Sequence, residues 1–459
     1  MARILARVMS VTVLFLIVSG APASAQQLGV SPETREQADH FFRRGLSHEE
    51  KGDWVTAYRD YALAADTLKT SFDIHLKASE AASRIRRPDL QMAHALALLQ
   101  IAGNEKDDER RARAYSHIGI AATGLNRLKE GLEAFEESVQ LYGKALGEDH
   151  PEFAKALSNL ARAYDHSNLP DAAEQAFKRA HEISEAVLEK DDPVRLSRLG
   201  DLAFFYAKRF ENDQAIPYME AYIAASEEEL PKDSLALGER YAALAELYDN
   251  ASLKGKAAPY YERAIVIFEK TEGPSAALTQ KMRSKVSTIY TDLQRFDLAV
   301  PHAEALLAIF EEALGPDHEN TLRAANNLAQ VYTYAGAHQK ALPLAERAAA
   351  QGEDRFGPDS IELASRLVNL GQVLDALNRQ SESVPLYERA LKISEAKLGR
   401  GDVSVARIAN NLGYALEQSG SPEKARPHYE HALSVFREKL PRGHFLTEIV
   451  ERNLAAVNR

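Results

Sequence analysis

Leu160, Leu202, Leu244, Val286, Leu328, Leu370, Leu412 and Leu454 fall at a constant 42-residue spacing, with no insertion or deletion between copies. A fixed period of about 20–50 residues is the signature of a solenoid, in which one small unit stacks on copies of itself and touches mainly its neighbours. Such a chain offers repeated surface to partners and seldom encloses chemistry of its own.

Within the copy that starts near Pro151, Leu157, Leu160, Ala161 and Tyr164 recur at three- and four-residue spacing, which places them on one face of a first helix. Ala173, Phe177 and Ala180 do the same for a second helix, and Ser167–Asp171 reads as the turn between them, with Asp171 as a helix cap. Each unit is therefore predicted to be a helical hairpin, and the fold class is all-α, an α-solenoid. Small residues are in register (Ala161, Ala203, Ala245, Ala329, Gly371 and Gly413; then Ala173, Ala215, Ala257, Ala299, Ala341 and Ala425). A large side chain follows on the second helix at Phe135, Phe177, Met219, Tyr261, Tyr387 and Tyr429. Small against large lets two helices approach and interdigitate at native packing density.

This order of small residue, aromatic and small residue resembles the tetratricopeptide repeat family over nearly all of the chain after its leader. The usual length of that repeat is about 34 residues. The longer period here, the loop Leu146-Gly147-Glu148-Asp149-His150-Pro151, the Asn-Asn-Leu-Ala run at 326–329 and the stretch Leu386–Ile393 are similar to the kinesin-light-chain type. The loop returns as Gly315-Pro316-Asp317-His318, Gly357-Pro358-Asp359-Ser360 and Gly399-Arg400-Gly401-Asp402, where Gly can supply the left-handed residue that ends a helix. Pro217, Pro259, Pro301, Pro343, Pro385 and Pro427 also repeat, and are placed close to the start of the second helix, where a missing backbone donor costs least.

The predicted organisation is a leader at 1–25, degenerate hairpins at 26–104, eight 42-residue hairpins at 105–443 and a capping helix at 444–459. Arg3 and Arg7 precede an uncharged run from Val8 to Val18, and Ala23-Ser24-Ala25 offers a cleavage site, so export, to the periplasm or beyond, is expected. The run from Val8 to Val18 is about half of what a membrane-spanning helix needs. Retention as an anchor is the alternative to cleavage.

There are no cysteines, which excludes disulfides, thiolate metal sites and cysteine nucleophiles. The formal net charge of −11 disfavours nucleic acid and anionic membranes as partners. No cofactor is expected. His428 and His431 lie three apart without a completing acidic cluster, and no phosphate loop, Gly-x-Ser-x-Gly or His-Glu-x-x-His motif occurs. An enzyme is not expected, and the repeats run close enough to Arg459 that a fused catalytic domain is not expected either.

By the family resemblance, first helices line a concave groove that takes a peptide segment of a partner protein. Arg323, Asn327, Gln330 and Tyr334 lie at i, i+4, i+7 and i+11 off the packed face of one first helix. Asn369 and Gln372, then Arg407, Asn411 and Tyr414, follow on the next two, flanked by Asn326 and Asn410. Asn159, Asn327, Asn369, Asn411 and Asn453 share one period position, a ladder whose amides can both donate and accept; Asp201, Ala243 and Lys285 interrupt it. The arginines add carboxylate recognition. Each Asn could instead satisfy a neighbouring helix. The competing functional class is a scaffold that self-associates or organises envelope complexes through its outer surface.

Overall fold

A computed structural model of the chain describes residues 30–189 and 192–457, and among them there are 21 helices and no strand. They form two compact units, divided after Glu229. Unit 1 holds α1 (Pro32–Glu50), α2 (Trp54–Thr67), α3 (Phe72–Arg84), α4 (Pro88–Glu105), α5 (Asp108–Gly124), α6 (Leu128–Leu146), α7 (Pro151–His166), α8 (Pro170–Val187), α9 (Pro193–Lys208) and α10 (Asn212–Glu229). Unit 2 holds α11 (Leu235–Asn250), α12 (Lys254–Thr271), α13 (Ala277–Asp292), α14 (Phe296–Leu314), α15 (Glu319–Tyr334), α16 (His338–Phe356), α17 (Ile361–Ala376), α18 (Gln380–Leu398), α19 (Val403–Gln418), α20 (Pro422–Lys439) and α21 (Phe445–Val457). Within each unit consecutive helices pair as hairpins and consecutive hairpins stack, so the fold is an all-α solenoid.

The core of each hairpin is the small-against-large contact read in the sequence. An added Cβ at Gly371 would lie 2.7 Å from ring atoms of Tyr387, and one at Gly413 would lie 2.7 Å from Tyr429. At these two positions the ring lies so close to the first helix that a Cβ would force it to shift. Each ring also reaches an acid in the last turn of that helix: the Tyr387 hydroxyl donates to Asp375 Oδ2 and the Tyr429 hydroxyl to Glu417 Oε2, both at 2.8 Å, and Tyr61 donates to Glu49 in the same way. Ser383, which takes the place of the repeating alanine, donates its Oγ to the other oxygen of Asp375. Burial pushes the Asp375 carboxyl above its ordinary value, and the Ser383 and Tyr387 hydroxyls pull it back.

The ends of the helices follow the period as well. Gly147, Gly315, Gly357 and Gly399 end α6, α14, α16 and α18 at φ of 91°, 85°, 86° and 82°. A second left-handed position, inside each hairpin turn, recurs once per period at Asn126, Asn168, Phe210, Ser252, Gln294, Gly336, Asn378 and Gly420. It is hard to see in sequence because Phe210, Ser252 and Gln294 are not residues that favour that conformation.

Two expectations are corrected. Asp171 does not cap α8: Leu169 is the N-cap residue, without a side-chain bond, and Asp171 lies in the first turn, where its charge complements the helix dipole. The repeating prolines lie one turn deeper than expected, at the sixth residue of α10, α12, α14, α16, α18 and α20. Each removes one helical hydrogen bond, from the carbonyls of Asp213, Gly255, Asp297, Gln339, Ser381 and Glu423. All six of those residues are exposed, on the side of the helix where solvent is at hand in place of the lost donor.

Ala341 is fully buried between α15 and its own helix α16. Ala341→Leu is expected to cost about 1–3 kcal/mol through overpacking, read as a lowered calorimetric transition; an unchanged scan would contradict the register. Beyond the last hairpin, α21 covers the final apolar face with Val450, Leu446, Leu454 and Val457, as an end repeat must. The leader reading concerns residues outside those described, and no described helix is long and apolar enough to cross a membrane.

Candidate functional site in the first-helix row of unit 2

The eleven side chains expected in the groove do not behave as one ladder. Asn369 is buried, 8% exposed, and its Nδ2 donates to Asn326 Oδ1 at 3.0 Å, so this pair ties α17 to α15. The tie recurs two periods later, where Asn453 Nδ2 donates to Asn410 Oδ1 at 3.1 Å and joins α21 to α19. Four asparagines of the expected ladder and its flank thus satisfy neighbouring helices. Arg323 is exposed and pairs with Glu319 one turn earlier at 2.6 Å. Arg407 and Tyr414 are exposed on α19, with Asn411 partly buried beside them, and Gln372 is partly buried on α17.

Asn327, Gln330 and Tyr334 are brought together. They form one wall of a cavity of about 220 Å³ whose opposite wall is Ser284, Ser287, Thr288 and Thr291 of α13, with Ala303 and Leu306 of α14 below. Thr288 Oγ1 donates to the Ser284 carbonyl at 3.0 Å, Thr291 Oγ1 to the Ser287 carbonyl at 2.8 Å, and Ser287 Oγ to the Ala299 carbonyl at 3.1 Å. With their protons spent on backbone, these hydroxyls face the cavity as acceptors. Across from them, the Asn327 and Gln330 amides supply donors as well as acceptors. Asp292, the one charged lining residue, pairs with Lys254.

The cause of the opening is one period position. Ala324 lies three residues before Asn327 and lines the cavity. At the equivalent place the chain has Arg198, Met282, Arg366, Ile408 and Val450, all buried, and Arg240, partly buried. Arg366 fills its space: its guanidinium lies 4.3 Å from the Phe356 ring centroid, its Nη1 donates to the Glu362 carbonyl at 2.9 Å, and its side chain rests on Gly352. Asn327 lines a cavity while Asn369 is buried against Asn326, and the residues three before them differ in the same sense, Ala324 against Arg366.

The α13 hydroxyls escape a reading of the sequence because Lys285 marks that copy as a break in the ladder. A signal is present: Ser284, Ser287, Thr288 and Thr291 fall at i, i+3, i+4 and i+7, a polar stripe that includes the position where other copies carry Ala or Gly. His431, one of the histidine pair, donates Nε2 to the Arg400 carbonyl at 2.8 Å.

Two sequence profiles, both described as tetratricopeptide repeat, match residues 110–186, 278–354 and 338–396, and 405–446, together more than half of the chain. No curated protein sequence matches. Among solved structures, the chain is similar to kinesin-light-chain TPR-like repeats of Podosopora anserina, at 22% identity over 45% of this chain and 98% of that one, with a TM-score of 0.38. It is also similar to BtubC (BKLC) of P. vanneervenii, at 22% identity over 51% and 92%, TM-score 0.38, and to a tetratricopeptide repeat protein of Parabacteroides merdae, at 14% identity over 67% and 99%, TM-score 0.41.

Proposed function

From its membership of the tetratricopeptide repeat family, to which the chain belongs, we propose that this protein is an exported, non-catalytic scaffold that holds a peptide segment of a partner protein. The segment enters at the cavity between α13 and α15 and continues along the exposed first-helix residues towards Arg407 and Tyr414. The observation that supports this most is the pairing of an acceptor wall, Ser287, Thr288 and Thr291, with an amide wall, Asn327 and Gln330. An extended peptide carries N–H and C=O groups along both edges, so it can meet both walls whatever its side chains are. Tyr334, 47% exposed, supplies an aromatic anchor at the rim. Arg323 is compensated by Glu319, which leaves Arg407 as the better receiver of a carboxylate on the bound segment. The periplasm is the proposed location, on the leader composition of residues 1–25.

Asn327→Ala, Gln330→Ala and Tyr334→Ala together are expected to remove a distinct partner from material co-purified with the mature chain, with unchanged helicity by circular dichroism. Asn369 is left alone in this test because losing its bond to Asn326 would disturb packing. Recovery of the same partner by the triple variant, or of the chain itself as the sole associate of both proteins, would overturn the proposal; the second outcome favours self-association.

A further inference from the structure

We propose that unit 1 carries a second ligand site, between α3, α5, α6 and α7, which takes the carboxylate side chains of an acidic peptide segment. A cavity of about 210 Å³ lies there, lined among others by Arg113, His117, Tyr142, Lys155 and Asn159. It is the same place in the repeat as the cavity of unit 2: Ser116, Ile120, Ala156 and Asn159 stand four periods before Ser284, Thr288, Ala324 and Asn327. Ala156 again leaves the space open. One period later Arg198 occupies the equivalent position, 5% exposed, with Nη1 donating to Asp201 Oδ2 at 3.0 Å. Asn159, isolated in the ladder by the breaks that follow it, therefore lines a cavity just as Asn327 does.

The chemistry differs between the two cavities. Unit 2 presents hydroxyls and amides, whereas unit 1 presents a guanidinium, an ammonium, an imidazole and a phenol together with the carboxylates of Glu80 and Glu152. The groups facing His117 are Glu80 from α3, Arg113 from its own helix α5, Tyr142 from α6, and Glu152 and Lys155 from α7; α4 contributes no lining residue. The acids are already opposed, Glu80 by Lys77 and Glu152 by Lys155, each at 3.7 Å, and Arg113 has Glu109 at 3.5 Å. Burial holds the His117 imidazole down at about 4, and the charges that add to this effect are the positive ones of Lys155 and Arg113. The charges acting on the ring itself are thus both positive, although the lining as a whole balances two bases against two acids, and it is beside the ring that an anion is favoured. Ser79 Oγ engages His117 Nδ1 at 2.8 Å and so leaves Nε2 to the cavity side.

Binding at this site is coupled to a proton. A carboxylate beside His117 favours the imidazolium and offsets the burial that keeps the ring neutral. The complex then takes up a proton that the free protein does not, and affinity rises as pH falls from about 7.5 towards 5.5. If the bound ring returns to its ordinary value of about 6.5, the gain over that interval is about tenfold.

The test titrates the full mature chain calorimetrically with the peptide acetyl-Glu-Glu-Glu-Glu-amide and its all-glutamine counterpart at pH 7.5, 6.5 and 5.5. The glutamate peptide is expected to bind about tenfold more tightly at pH 5.5 than at pH 7.5, and the glutamine peptide not to bind. Ala156→Arg, a side chain the fold accepts at positions 198 and 366, is expected to abolish binding, and Ala324→Arg in unit 2 to leave it intact. His117→Gln, which keeps a partner for Ser79, is expected to retain binding and lose its pH dependence. Equal binding of the two peptides, no binding of the glutamate peptide, or retention by Ala156→Arg would overturn the site. A pH dependence that survives in His117→Gln would overturn the proton coupling. Because Ala324→Arg is silent here, failure of this site and failure of the unit 2 reading are separately visible.

Discussion

Tyr387→Ala is expected to lower the stability of unit 2 by about 3–5 kcal/mol, the range for removing a buried aromatic ring. The ring is fully buried, lies directly on Gly371, and belongs to the apolar cluster that joins α17, α18, α19 and α20. No neighbour can fill the space cheaply, because Gly371 has no side chain to move into it. The variant also strips Asp375 of one of two donors, leaving Ser383 alone to hold a carboxylate that burial already disfavours. An acid whose folded value lies above its unfolded one stabilises the fold as pH falls, since the native state then binds the proton more readily. The deficit of Tyr387→Ala should therefore shrink from pH 8 towards pH 4, against wild type measured at each pH by denaturant unfolding. A loss below about 1 kcal/mol, beneath the range for such truncations, would mean that the ring does not carry the hairpin.

Ala324→Arg is expected to weaken binding of a peptide to unit 2 by roughly a hundredfold or more, since it removes contacts on the scale of an interface hot spot. The substitution copies Arg366, which fills the corresponding space one period later by lying on Gly352 and the Phe356 ring. Helicity and the thermal transition should change little, while Ala324→Ser, which keeps the cavity open, should bind as wild type does. Undiminished binding by Ala324→Arg would place the ligand elsewhere.

The scaffold was legible because the residues that build it are packed against copies of themselves. Leu160 and its equivalents, the glycines under Tyr387 and Tyr429, and the glycine caps all answer the same local demand in every unit, so each repeats. The position of the prolines was less legible: hydrophobic spacing marks a helix face well and its first residue poorly. The candidate site was legible in part. Asn327, Gln330 and Tyr334 were found by spacing, but spacing could not tell Asn327 from Asn369, because what separates them is the residue three before each, Ala324 or Arg366. That place carries arginine at 198 and 240 as well and apolar side chains in other copies, and the consequence of Arg366 appears only once its stem and ring contact are seen. The α13 wall does not show in the asparagine column, where that copy carries Lys285, although its serines and threonines lie in plain register.

The most direct measurement is hydrogen–deuterium exchange of the full chain with and without a peptide selected on it from a random display library. Protection gained on binding is expected in residues 277–292 and 319–334, the two helices whose side chains wall the unit 2 cavity, and is expected to disappear in Ala324→Arg. Protection confined to α16, α18 and α20, or absent from unit 2, would contradict the assignment of the peptide to the first-helix row.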